Sequence, residues 1–247
     1  MLKYIILGII QGFTEFFPVS SSGHLVIMQR VLGLTEHTVA VSVVLHLGTI
    51  LALVIFFFKD ILNLFRNIKL IAYILIVTII TGIIGISGKD FFEKLFDSPR
   101  LAALALIVTG IILILTRKFM DAKRNNLNAK DALILGFTQG IAIIPGISRS
   151  GITISTLLFR GIDRETSFKF SFLASIPAVF GAAILEAKDI GFACDIGINN
   201  LIAGFIASLL SGVLALALLR VILKKAKLHY FGYYCIIISI ITLIFIK

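Results

Sequence analysis

The chain has 247 residues, 59% of them hydrophobic and only 15% charged, yet its formal net charge is +10. Apolar runs along the whole length exclude a disordered chain, and two cysteines, Cys194 and Cys235, both read as unpaired, exclude a disulfide scaffold. A basic balance often signals nucleic acid, but sequence this apolar could not stay soluble as such a domain; a multi-pass membrane protein remains, and the basic excess needs an explanation within that class.

In chain order, the first region, 1–33, is apolar but broken by Pro18 and Ser20-Ser21-Ser22. Its opening lysine and short apolar run resemble a signal peptide, but no small-residue cleavage site follows, so the segment is expected to remain in the mature protein. Apolar runs follow at 39–58, 70–88 and 100–116. A second broken region, 129–161, is interrupted by Pro145-Gly146 and Ser148-Arg149-Ser150, and further runs cover 167–186, 198–220 and 230–246. Each run approaches the ~20 residues a helix needs to cross a bilayer core. The two broken regions are expected to form re-entrant hairpins, because broken helices at membrane depth must be buried in protein or line a cavity. The predicted fold is thus all-α, with six transmembrane helices and two re-entrant helical hairpins.

A shift of 128 aligns the two broken regions: Leu7, Gly8, Gln11, Gly12, Ser20, Ser22 and Gly23 fall on identical residues, Gln11 on Gln139 among them. The starts of the runs obey the same shift. The chain therefore divides into a first repeat, 1–118, and a second, 129–247, within one integrated membrane domain. A hairpin returns to the side it entered, so each repeat crosses three times and the second is expected to be inverted, with a binding site at the repeat interface. Charge supports an orientation. Segments 59–69, 117–131, 160–169 and 220–229 hold 15 of the 23 lysines and arginines, which places them in the cytoplasm and both termini outside. The basic excess thus reads as orientation and attraction to anionic membrane lipids, with no nucleic acid as partner. Tyr230, Tyr233 and Tyr234 fall at the cytoplasmic start of the last run.

The polar residues inside the membrane carry the functional reading. Gln11 and Glu15 are four apart and share a helix face, where an amide oxygen and a carboxylate could hold a divalent cation. Ser20, Ser21 and Ser22 open one half-helix, and Ser148, Arg149 and Ser150, with Thr153 one turn on, open the other. Serines suit helix caps; two helix N-termini and one arginine fork also make a phosphate or diphosphate seat. An Arg149–Glu15 pair that only locks the repeats together is the structural alternative. His24, three residues after Ser21, reads either as a packed hydrogen-bonding group or as the base beside a serine nucleophile. His46 reads as packed or hydrogen-bonded, His37 and His229 as loop residues, and Glu186 and Asp195 as water-facing.

The segment from Gln11 to His24, QGFTEFFPVSSSGH, resembles the (E/Q)xxxE and PVSSxGH region of the bacterial undecaprenyl-diphosphatase, or bacitracin-resistance, family, and Pro145–Thr153 resembles its PGxSRSxxT motif. The resemblance covers essentially the whole chain. It implies an integral membrane phosphatase of the bacterial inner membrane, open to the outer face, that converts undecaprenyl diphosphate to the monophosphate carrier of cell-wall synthesis with Mg²⁺ or Ca²⁺. It makes Gln11 and Glu15 the motif pair, Ser21 the proposed nucleophile, His24 the essential histidine and Arg149 the phosphate-binding arginine, with Ser22, Ser148, Ser150 and Thr153 at further site positions. Glutamine at position 11 removes one carboxylate, so the metal could arrive on the diphosphate. Ser148-Arg149 also echoes the SRxxxxxHxxxD acid-phosphatase signature, but Ser155 and Phe159 stand where that signature needs His and Asp. The rival function is a lipid-phosphate flippase using the same midplane site, and a homodimer is left open.

Overall fold

The computed structural model describes residues 1–34, 38–96, 98–188 and 197–245; His37, Cys194 and Asp195 lie outside the described residues, as does the side chain of Glu186. Every named element is a helix: α1 Leu2–Phe16, α2 Ser21–Val31, α3 Thr38–Phe56, α4 Phe58–Leu64, α5 Ile68–Ser87, α6 Lys89–Phe96, α7 Pro99–Leu115, α8 Ala129–Ile141, α9 Arg149–Phe159, α10 Arg164–Lys188, α11 Ile198–Lys224 and α12 His229–Phe245. Among the described residues, five helices are long and apolar enough to cross a membrane: α3, α5, α7 with the 3₁₀ turn Thr116–Phe119, α10 and α11. The last expected span, α12, is apolar but only 17 residues long. The chain is a multi-pass membrane protein.

Local chemistry sets the breaks. Phe17, before Pro18, is extended (φ −66°, ψ 141°), the conformation a following proline favours, and α1 stops there. In the second broken region α8 stops at Ile141, four residues before Pro145, and Gly146 takes φ +92°, a left-handed conformation glycine adopts without penalty. Asn128 and Asp131 form a capping box at the start of α8. Two segments read as connections contain short helices, α4 and α6. Lys169 lies inside α10, and His229 opens α12 instead of lying in a loop.

Packing exchanges elements between the halves of the chain. Helix α1 lies along α11, and α8 lies along α5; α7 pairs with α12, and α3 with both α10 and α11. Small residues let α1 and α11 approach closely. A Cβ on Gly12 would stand 2.6 Å from the Gly212 backbone nitrogen and the Ser208 carbonyl, and one on Gly204 3.2 Å from the Tyr4 carbonyl. Helices α7 and α12 cross at Gly110 and Gly232, where a Cβ on either glycine would come within 2.8 Å of the other's carbonyl. The breaks are tied across the halves too. Cys235 Sγ of α12 donates to the Pro18 carbonyl (3.3 Å), and Thr109 Oγ1 of α7 donates to the Gly146 carbonyl (3.0 Å) while accepting from Ser148 N–H (3.1 Å). Cys235 is free and buried.

The base of the second broken region is clamped by charge. The fully buried Asp131 accepts from both Nη1 (2.7 Å) and Nη2 (2.9 Å) of Arg124, from Arg160 Nε (3.0 Å) and from the Asn128 N–H (3.0 Å). Burial pushes the Asp131 carboxyl up, but the Arg124 fork, the Asn128 N–H and Arg160 outweigh it and hold the group below its ordinary value. Two of the basic residues counted for orientation are therefore also structural.

Candidate active site

Glu15 is the centre of the site. It sits on the last turn of α1, 7% exposed, with the opened chain breaks on either side. Arg149 Nη2, from the first residue of α9, donates to Glu15 Oε1. Ser21 Oγ, from the first residue of α2, donates to Glu15 Oε2 (2.7 Å), and Gln11 Nε2 reaches the same oxygen (3.2 Å) one turn back. Ser21 and Arg149 occupy the same position under the 128-residue shift, so the matched starts of two half-helices each hold one oxygen of a single carboxylate.

The serines repeat this matching. Ser20 and Ser22 bring their hydroxyls to 3.3 Å, and Ser148 and Ser150 bring theirs to the same 3.3 Å. Ser148 is the N-cap of α9, accepting from Gly151 N–H at 3.2 Å, so capping is part of its work. Ser20 takes φ +65°, rare for a residue with a side chain. His24 braces this turn: its Nδ1 is 2.8 Å from the Ser20 carbonyl and its Nε2 2.8 Å from the Tyr234 hydroxyl, with the two rings stacked.

A cavity of about 600 Å³ opens beside this cluster. Of the sequence-predicted residues, Glu15, Ser20, Ser21, Ser22, Ser148 and Arg149 line it; Gln11, His24, Ser150 and Thr153 do not. Gln11 and Thr153 are buried behind the wall, Thr153 turned to the Arg149 carbonyl (2.7 Å) and Ser171 Oγ (2.6 Å). His24 has both ring nitrogens engaged away from the cavity, which gives it a bracing position.

Three lining residues carry no site role in the sequence reading. His46 of α3 reaches the cavity, its Nε2 3.7 Å from Glu15 Oε2. Thr81 of α5 donates to the Gly136 carbonyl (3.2 Å) and accepts from Gln139 Nε2 (3.2 Å). Because the Thr81 proton goes to the carbonyl, Gln139 must present its amide nitrogen to Thr81; its Oε1 is buried without a partner. The repeat pairing of Gln11 with Gln139 was the available signal for the last of these. Away from the polar cluster the wall is apolar, including Ile86, Ile143, Ile144, Ile147 and Ile184.

For a hard divalent cation the donor set fits in kind. Gln11 Oε1 is buried with no partner, and Glu15 is the adjacent carboxylate. Among the described residues no group of three or more His, Cys, Asp or Glu could hold a metal. With one carboxylate, already paired to Arg149, the protein offers an ion little net negative charge, so binding together with an anionic substrate suits these residues better than a protein-only cage.

Fold and site together define a polytopic helical membrane protein whose two halves both line a cavity that carries the Glu15–Arg149 pair. The chain belongs to the bacitracin resistance protein BacA family, whose model matches residues 4–241. Proteins named undecaprenyl-diphosphatase are similar over their full length. That of Halothermothrix orenii is 44% identical over 99% of this chain and 97% of its own. That of Carboxydothermus hydrogenoformans is 42% identical over 97% and 95%, and that of Methanosphaera stadtmanae 40% identical over 99% and 97%.

Proposed function

We propose that this chain hydrolyses undecaprenyl diphosphate to undecaprenyl phosphate and inorganic phosphate. One observation carries the reading: Glu15 is held between Ser21 and Arg149 at two helix starts, on the wall of a cavity that is otherwise mostly apolar. An isoprenoid tail suits the apolar wall, and a diphosphate suits the two N-termini. The Arg149 guanidinium can turn from Glu15 to phosphate oxygens, where its fork matches the ligand. Ser20, Ser22 and Ser148 add neutral donors, while Ser150 and Thr153 hold the start of α9 in shape. Glu15 is placed to take a proton from Ser21 Oγ, which attacks the terminal phosphorus, or from a water that attacks directly. His24 keeps the Ser20–Ser22 turn in its strained form. Positioning and charge neutralisation supply most of the rate in phosphoryl transfer. A Mg²⁺ or Ca²⁺ ion, when bound, neutralises phosphate charge, and Gln11 and Glu15 are the residues that would hold it.

The membrane arrangement belongs to the same reading. The two broken regions act as re-entrant hairpins, the halves as inverted repeats, and α12 as a sixth span. At 1.5 Å per residue α12 covers about 25 Å, short of the ~30 Å core, which flanking Tyr230 and Tyr233 can accommodate at the interface. The basic segments support an orientation with both termini outside, and the family resemblance supports a site that opens to the outer face of the inner membrane.

The test is phosphate release from undecaprenyl diphosphate by purified protein in detergent, where no transport is possible. Release that stops with a chelator and returns with Mg²⁺ or Ca²⁺ is expected. No release, with Arg149 still required for lipid translocation in vesicles, would replace the hydrolase with the flippase.

A further inference from the structure

His46 Nε2 of α3 and Glu15 Oε2 of α1 face each other at 3.7 Å on the cavity wall. His46 Nδ1 lies 2.8 Å from the Ser42 carbonyl, four residues back on α3. A carbonyl only accepts, so Nδ1 carries the proton; with the ring uncharged Nε2 presents a lone pair, and with the ring charged Nε2 pairs with Glu15 directly. That lone pair is 3.7 Å from Glu15 Oε2, itself an acceptor. The ring is fixed from behind and opens onto the cavity, the geometry that sets a histidine's tautomer and aim. Its side chain is 26% exposed, so the edge facing the cavity stays reachable.

The partner that Nε2 of the uncharged ring requires is a hydrogen-bond donor. Phosphate oxygens of a diphosphate are acceptors and do not qualify. Ser21 Oγ already gives its proton to Glu15 Oε2. A water does qualify: two acceptors 3.7 Å apart can each take one of its protons at ordinary hydrogen-bond length, leaving its oxygen lone pairs directed away from both.

We propose that His46 is a positioning residue for hydrolysis, holding with Glu15 the water that attacks phosphorus. The inference rests on the hydrolase reading, but not on its route. In direct attack, the water oxygen forms the new P–O bond, the bond from the terminal phosphorus to the bridging oxygen breaks, and lipid monophosphate leaves. In a covalent route, Glu15 first passes the Ser21 proton to the departing lipid phosphate; the same water then attacks phosphorylated Ser21, the bond from phosphorus to the serine oxygen breaks, and the proton Glu15 takes from the water returns to Ser21 Oγ. In both, the water's proton passes to Glu15 Oε2 while His46 Nε2 keeps the second O–H aligned.

The experiment compares wild type, His46→Ala, His46→Gln and His46→Asn, each as the full chain in detergent, by steady-state phosphate release and thermal unfolding. A glutamine amide oxygen reaches about where Nε2 sits; asparagine reaches only the Nδ1 position. Expected are a kcat about 100-fold lower for Ala and Asn, the low end of what acid–base positioning contributes, KM within threefold of wild type, and recovery in Gln to within tenfold of wild type. A kcat for Ala above a third of wild type, a loss confined to KM, or Gln falling as far as Asn would overturn the inference. If Ala does not fold, the Gln–Asn comparison decides the same question. Wild type that releases no phosphate would refute the hydrolase reading itself, a separate result.

Discussion

Replacing Arg149 separates the two roles its ion pair with Glu15 can play. In Arg149→Ala the Glu15 carboxylate, 7% exposed, keeps only Ser21 and Gln11 as donors. Removing one partner of a buried pair costs about 3–5 kcal/mol; with two neutral donors retained, the lower end applies. About 3 kcal/mol corresponds to a Tm roughly 6–12 °C lower for a chain of this size. Loss of the phosphate fork is a second, independent effect. Two charge-assisted hydrogen bonds at about 1.5–3 kcal/mol each lower kcat/KM by roughly 10²- to 10⁴-fold. Arg149→Lys dissects the two. Lysine can still pair with Glu15, so Tm returns to within a few degrees of wild type. It cannot fork, so one hydrogen bond is lost and kcat/KM stays about 10- to 150-fold down. Thermal melts and phosphate release, measured well below Tm, read the two effects separately. A lysine variant with wild-type kcat/KM would refute the fork, leaving the pair as a lock between the halves.

Further outcomes follow from the surrounding structure. Asp131 has a depressed carboxyl in the folded protein, so its contribution is complete above the ordinary carboxylate range and is lost as the pH falls through the folded value; Asp131→Asn should lower Tm at neutral pH and flatten the acid limb of the Tm–pH curve, and an unchanged acid limb counts against the clamp. Gly12→Leu drives a side chain into the Ser208 and Gly212 backbone and should destabilise the fold, whereas a Cβ at Gly23 meets nothing within 4 Å and Gly23→Ala should leave Tm within a degree or two; similar melts for the two would contradict the α1–α11 contact. Tyr234→Phe removes one neutral hydrogen bond of His24, worth about 1 kcal/mol, and should slow turnover less than tenfold, while His24→Ala also frees the Ser20 carbonyl and should slow it more; equal rates would remove the bracing role. Gln11→Leu should raise the Mg²⁺ concentration needed for half-maximal rate, and an unchanged requirement would take Gln11 out of the metal set.

Much of the architecture was legible because proline, glycine and serine punctuate it locally. Pro18 and Pro145 mark both breaks, and the helix starts at Ser21 and Arg149 fall where the serine clusters placed them. The limits of legibility are equally specific. His46 was read as packed or hydrogen-bonded, and its Nδ1 does meet the Ser42 carbonyl; what its sequence neighbours did not show is Glu15, on another helix. The available signal was energetic: a titratable ring in a strongly apolar span is costly and tends to be kept for a function. For His24 the sequence left two readings, a packed hydrogen-bonding group or a base beside Ser21. In the structure its ring turns to Tyr234, more than 200 residues away, a partner that sequence proximity could not show. Asp131 gave no pattern at all, since its partners, Arg124 and Arg160, meet it only after the chain folds back on itself.

The exchange of helices between the two halves bears on how far the protein can move. A carrier that alternates between membrane faces rocks one repeat against the other as a rigid body. Here α1 is sealed along α11 at backbone distance, α8 lies along α5, and each chain break is fastened to a helix of the opposite half. Any rotation of one half would have to part these close contacts. The two halves are interleaved more than they are hinged. Such a frame suits a reading in which ligands enter and leave while the reacting groups keep their register.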